Sequence, residues 1–271
     1  MPKFSAALLA LLCISGPALA VPPELKGDFV QGGLVFGKTD PDTKIILNDR
    51  LVTVTPDGRF VIGFGRDAPE TAVFQSVAAD GKRLVRTLKI EKRKYRIQRI
   101  DGLPPKMVSP SPAALLRIKA EGKVIRDARA VFTPVAHFAG GFIWPAKGRI
   151  SGVYGSQRIL NGEPRRPHLG IDIAAPAGTP VIAAAPGRIT LANTDMYFTG
   201  GTVIIDHGHG LSTVYSHLSA VSARLGQMVK QGELIGKIGS TGRSTGPHLD
   251  WRVNWFQERL DPALLVGPMP K

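Results

Sequence analysis

Pro247-His248-Leu249-Asp250-Trp251-Arg252-Val253 has the texture of a β-strand. Side chains two apart on a strand point to one face, so His248 and Asp250 share a face. His168-Leu169-Gly170-Ile171-Asp172 has the same property. Read as a strand, it turns His168 and Asp172 the same way, with Gly170 clearing the space between them. A neutral imidazole and a carboxylate converging on a roomy spot can grip a zinc ion. Two such strands side by side would aim four polar side chains into one groove.

The surroundings of both stretches are β in character. From Trp144 onward glycine and β-branched residues are dense and helical periodicity is nearly absent. Short strands and tight turns predict a compact antiparallel β-domain over 144–266, with a short tail at 267–271. Of the 6 histidines, all but His137 fall in this domain: His168, His207, His209, His217 and His248. His207-Gly208-His209 is spaced like a ligand pair, but it sits between Asp206 and Gly210 at what reads as a hairpin turn. His137 reads as an ordinary surface or core residue.

Upstream, Phe29–Phe36, Lys44–Leu47, Leu51–Thr55, Arg59–Phe64, Ala72–Ala78 and Leu84–Ile90 alternate or run apolar. Asp40-Pro41, Pro56-Asp57-Gly58 and Asp80-Gly81 separate them with turn chemistry. This predicts a small β-sandwich-like domain within 21–107, after a short linker at 21–26. It carries no clustered chemistry and reads as a spacer, a substrate-binding module or a lid. Ser109-Pro110-Ser111-Pro112 then opens a helix, with Ser111 as cap and Pro112 in the first turn. Leu115, Leu116, Ile118, Val124, Ile125, Ala128 and Phe132 follow at helical spacing, Gly122 being a weak point. The stripe, within a linker at 108–143, suits packing on a neighbouring domain or binding to a membrane surface. The fold class is therefore mainly β, two β-domains joined by a helix.

The chain has 271 residues, 43% of them hydrophobic, enough for a real core. Lys3, the apolar run Ala6–Ile14 and Ala18-Leu19-Ala20 form the three-part pattern of a cleavable signal peptide over 1–20. The run is too short to span a bilayer, and Leu-Leu before Cys13 does not suit a lipoprotein. Cleavage would remove the only cysteine, leaving His, Asp and Glu as the available metal ligands. The net charge of +14 favours polyanions. Export makes nucleic acid a poor candidate and points to anionic wall polymers or acidic peptidoglycan stems.

Several motifs, in order over about 144–266, resemble the lysostaphin/LytM-type zinc metallopeptidases. His168-x-x-x-Asp172 resembles that family's first metal motif, preceded by Arg165-Arg166-Pro167. Val203-Ile204-Ile205-Asp206-His207-Gly208 and Thr213-Val214-Tyr215-Ser216-His217-Leu218 resemble the stretches bordering its groove. Gly239-Ser240-Thr241-Gly242-Arg243-Ser244-Thr245-Gly246-Pro247-His248-Leu249 resembles its closing segment. The resemblance implies one zinc ion per chain, with His168 and Asp172 as ligands and His217 and His248 as catalytic, non-ligand histidines. The third ligand of most members is the last histidine of His-x-His; here that position is Asp250. A carboxylate oxygen is an ordinary zinc ligand, and a surface or salt-bridging role is the alternative for Asp250. With Asp172 and Asp250 both ionised, the ligands would cancel the charge of zinc and leave a bound water less acidified.

The implied activity is hydrolysis of peptide cross-links in bacterial peptidoglycan, D-Ala–diaminopimelate by the family's pattern, in a Gram-negative periplasm. The alternative is a catalytically inactive LytM-type regulator that activates a separate cell-wall amidase, which would add an amidase or divisome partner. No integral membrane segment is expected in the mature chain. Two segments could cover the cleft: the insertion Ile159–Arg165 and the N-terminal domain.

Overall fold

The computed structural model describes residues 22–100, 111–160 and 162–270. The signal segment with Cys13, and Ser109-Pro110, lie outside the described residues. The first strands are β1 (Glu24–Gly27), β2 (Leu34–Lys38), β3 (Lys44–Leu47), β4 (Arg50–Val52), β5 (Arg59–Gly63), β6 (Thr71–Val77), β7 (Arg83–Lys89) and β8 (Ile97–Ile100). β1-β2-β5 and β4-β3-β6-β7 form two antiparallel sheets. Phe60 of one sheet stacks on Phe74 of the other, with ring centroids 6.2 Å apart. The expected sandwich is thus present, with two corrections. The strand expected over Phe29–Phe36 begins only at Leu34, because Gly32 turns the chain with φ 86°. The expected linker instead contains β1, which pairs with β2.

Helix α1 (Pro112–Ala130) starts as its sequence dictates: the Ser111 side chain accepts from the Ala114 amide, and Pro112 sits in the first turn. Ile125 and Ala128 pack with Leu191, Met196, Ile204 and Val214 of the following domain. Arg117 bonds Glu121 and Asp195, and Glu121 accepts from the Tyr197 amide at 2.7 Å. The helix therefore packs on a neighbour. Among the described residues no helix is long and apolar enough to cross a membrane.

The remaining strands are β9 (Arg149–Gly152), β10 (Gln157–Leu160), β11 (Glu163–Pro164), β12 (Ile171–Ala174), β13 (Pro180–Ile182), β14 (Gly187–Met196), β15 (Gly200–Gly208), β16 (Leu211–Val221), β17 (Met228–Val229), β18 (Leu234–Ile238), β19 (His248–Trp255) and β20 (Glu258–Leu260). Most join a 10-stranded sheet in the order β17-β14-β15-β16-β19-β12-β9, with β13, β18 and β20 beside this path. Alternation buries Val203, Ile205, Tyr215, Leu249, Trp251 and Val253 on one face, in an apolar cluster continuous with the sandwich core.

The sandwich packs against the far end of β19. Gly63 faces Trp255 and Leu260, and Arg93 pairs with Asp261 at 2.8 Å. Trp255 lies seven residues beyond His248, roughly 23 Å along a strand. The body of the N-terminal domain thus contacts the end of β19 away from His248, and its Arg66 Nε also donates to Gly155 O at 3.0 Å, beside the backbone bond that holds His168. Its strand β8 goes further and pairs in parallel with β10, beside the β10–β11 hairpin that precedes His168. The expected insertion is this hairpin.

Candidate metal centre

Three strands set the floor of the site. Asp172 of β12 lies opposite Asp250 of β19, which lies opposite Ser216 of β16. Residues directly opposite share a face, so the row presents Asp172, Asp250 and Ser216 together. Gly152 continues the row on β9. A Cβ there would come within 2.1 Å of Asp172 Oδ2, so any larger residue would have to displace that carboxylate.

His168 arrives differently from expectation. It precedes β12 rather than lying in it. Two backbone bonds fix it, from Gly155 N to its carbonyl at 2.7 Å and from its own amide to Ser156 O at 2.7 Å. Its Nε2 lies 3.3 Å from Asp172 Oδ1. That nitrogen is buried and has no hydrogen-bond partner among the described residues. Single ligand atoms of His168, Asp172 and Asp250 all lie within 4.8 Å of one another. An orphaned imidazole nitrogen facing two carboxylates, with glycines clearing the ground, fits a zinc ion held by one nitrogen and two oxygens.

His248 and His217 stand beside this cluster. His248 Nε2 is 3.7 Å from Asp172 Oδ1, and the His217 and His248 rings are 4.7 Å apart. Strand alternation would send His217 to the core side, since Thr213 and Tyr215 go there. Its left-handed backbone, φ 66°, accompanies the turn of the ring toward His248. The His217 amide donates to Thr199 O at 2.7 Å. His217 Nδ1 donates to Thr241 O at 2.8 Å and His248 Nδ1 to Gly246 O at 2.9 Å. Carbonyls only accept, so both rings carry their proton on Nδ1 and keep Nε2 as a base. Burial pushes the His217 pKa down, outweighing the Thr241 bond and the nearby carboxylates, which push it up.

Arg252, a residue not singled out from the sequence, changes the electrostatics. Its Nε donates to Asp250 Oδ1 at 2.9 Å and Oδ2 at 3.1 Å, and its Nη2 to Oδ2 at 2.5 Å. Burial would raise the Asp250 pKa, but the charge and hydrogen bonds of Arg252 outweigh it and hold the carboxyl at about 2. Asp172 is raised, first by burial and then by Asp250, against the pull of His168. The expectation that two carboxylates leave the centre with no surplus charge is therefore corrected: a guanidinium sits on the second carboxylate. Arg252 was legible in principle, since it lies two residues past Asp250 on the same face.

His207 and His209 take no part. Among the described residues the metal-ligating groups come together only at His168, Asp172 and Asp250. His137 lies outside the cluster as well, beside Asp206.

Residues 166–262 match the Peptidase family M23 model. The chain is similar to DD-carboxypeptidase/endopeptidase Mpg of Neisseria meningitidis, 43% identical over 45% of this chain and 28% of that one. It is similar to peptidoglycan DD-endopeptidase ShyA of Vibrio cholerae, 39% identical over 40% of this chain and 25% of that one. Cell division protein DipM of Caulobacter vibrioides is 32% identical over 59% of this chain and 25% of its own. These matches thus span about a quarter of each relative's length. Both domains are covered by the crystal structure of a candidate M23 peptidase from Pseudomonas aeruginosa, with TM-score 0.68, 28% identity, and 87% of this chain and 94% of that one aligned.

Proposed function

We propose that this chain is a zinc-dependent endopeptidase that hydrolyses peptide cross-links of bacterial peptidoglycan, D-Ala–diaminopimelate bonds in particular, in the periplasm. The observation that carries it is the meeting of His168, Asp172 and Asp250 within 4.8 Å, beside two histidines that each keep a free Nε2. His168, Asp172 and Asp250 would hold one zinc ion. Zinc, when bound, supplies a Lewis acid for the scissile carbonyl and acidifies water. His217 stays neutral near pH 7 and can accept a proton at Nε2. His248 Nε2, close to Asp172, can hold a second proton position or hydrogen-bond the developing oxyanion. The excess of basic residues suits an anionic wall substrate.

The test is zinc content of the purified chain by mass spectrometry, together with digestion of cross-linked muropeptide dimers. Near-stoichiometric zinc and conversion of dimers to monomers are expected. A folded chain with neither zinc nor cleavage would sink the proposal. A second reading is then a metal-free regulator of a separate cell-wall amidase. It is favoured by the Arg252 fork, which engages both Asp250 oxygens without a metal, and by similarity to a cell division protein.

A further inference from the structure

We propose that Arg252 is a positioning residue that makes an aspartate serviceable as the third ligand, by fixing the Asp250 carboxylate and restoring one positive charge to the centre. The inference rests on the metallopeptidase reading above.

Three observations carry it. First, the contact is a fork on both oxygens of a carboxylate whose residue is only 3% exposed. A planar guanidinium fixes carboxylate orientation in a way a lysine ammonium does not. Three donor contacts, one to Oδ1 and two to Oδ2, leave about one of the carboxylate's roughly four lone-pair sites, on Oδ1, for a metal. Second, room is made for the pair. A Cβ at Gly170 would come within 2.6 Å of Arg252 Cγ and 2.8 Å of Asp250 Oδ1. The glycine between His168 and Asp172 thus seats the Arg252–Asp250 pair as well. Third, the charges balance. Two carboxylates cancel a divalent cation, and Arg252 returns the centre to one positive charge. One carboxylate with two neutral imidazoles would leave the same surplus. Arg252 is therefore expected to help when residue 250 is Asp and to hinder when it is His, because it would then be an unpaired cation beside a dication.

The experiment measures zinc dissociation constants of the full chain by competition with a chromophoric chelator. The proteins are the parent, Arg252→Gln, Arg252→Lys, Asp250→His and the double variant Asp250→His/Arg252→Gln. Arg252→Gln should weaken zinc binding by about 10–100-fold, the usual cost of losing a ligand's supporting partner. Arg252→Lys, which keeps the charge without the fork, should fall between it and the parent. Asp250→His should bind zinc more weakly than the double variant, so the same Arg252 change costs affinity in one background and gains it in the other. Thermal melts of each protein separate this reversal from loss of fold. A parent that binds zinc, with Arg252→Gln acting equally or not at all in both backgrounds, overturns the inference alone. A folded parent that binds no zinc overturns the metallopeptidase reading first.

Discussion

Two groups of histidines sit on one sheet and do opposite things. His207 is fully buried, and both its nitrogens are engaged: Nδ1 with Pro186 O at 2.6 Å and Nε2 with Thr213 Oγ1 at 2.7 Å. Its ring meets Phe142 edge-on at 5.4 Å. His209 bonds Pro134 O at 3.1 Å and packs against Phe132 and Phe138. These rings lock the hairpin between β15 and β16 to the segment after α1. His168, His217 and His248 each keep one nitrogen uncommitted and face carboxylates. His207, with both nitrogens bonded, is mortar, and His209 is held by one hydrogen bond and its ring packing, its Nδ1 buried away from the metal-ligating cluster. A histidine with a spare nitrogen beside a carboxylate is available for metal or proton chemistry.

The sharpest way to break this contrast is to remove a ligand. His168→Ala or Asp172→Ala should eliminate stoichiometric zinc and detectable cross-link cleavage together. Zinc retained at the parent's level in either variant would exclude that residue as a ligand. The next effect separates the two groups directly. His217→Ala and His248→Ala should lower turnover by about 10²–10⁴-fold, the range for a lost acid–base group, with zinc content unchanged. His207→Gln should do the reverse: turnover near the parent's, with stability lower by roughly 1–3 kcal/mol from broken buried hydrogen bonds. Denaturant unfolding and steady-state kinetics on the same preparations decide between the two patterns.

The pH dependence of stability sharpens the contrast further. Burial lowers the His207 pKa from 6.5 to about 4. The unfolded chain therefore binds a proton that the folded chain refuses. This contribution is full above pH 6.5 and is lost as pH falls toward 4. It amounts to roughly 3 kcal/mol at about 1.4 kcal/mol per pKa unit. His209 and His217, also lowered by burial, act in the same direction. Asp206 is raised by burial and opposes them at lower pH. Asp250, held at about 2, contributes stability that is lost only as pH falls below its ordinary 3.8. Unfolding curves at pH 7, 5.5 and 4 should show a shallower fall for His207→Gln than for the parent; parallel curves would count against the buried neutral ring.

Much of this was legible in the residues, and the gaps have physical causes. Periodicity and turn chemistry give the strands of the sandwich closely, because Asp-Gly and Pro-Asp-Gly turns act locally. They miss β1, β8 and the β8–β10 pairing, whose partners are distant in sequence and leave no local mark. The Asp250–His248 face follows from alternation alone. His168 reaches the same centre from outside a strand, through backbone bonds to Gly155 and Ser156 that no spacing encodes. His217 violates alternation, and its left-handed φ is invisible until the backbone is seen. Arg252 lay in plain view, but a cation beside a supposed ligand looks like surface charge until its fork onto Asp250 is measured.

The smallest expected effect concerns the part of the same sheet face that α1 covers. Val214, opposite Arg252, belongs to the apolar cluster under Ile125 and Ala128, so the helix and the candidate metal centre are neighbours on one surface. The helix also holds the Tyr197 amide through Glu121, two residues before Thr199, whose carbonyl accepts from His217. If α1 is a brace and not part of the chemistry, loosening its first turn should cost stability and little else. Ser111→Ala removes the side-chain oxygen that accepts from Ala114 N at 3.2 Å. A lost cap costs about 1 kcal/mol, which lowers the melting temperature by about 2–4 °C in a chain of this size. Zinc affinity and turnover should stay within about twofold, since 1 kcal/mol of local fraying at a helix start leaves the last turns packed. A melting point lowered with zinc binding unchanged would assign α1 to the structural side of the comparison. A clear fall in zinc affinity would instead make the helix a support of the metal centre through Tyr197, Thr199 and His217.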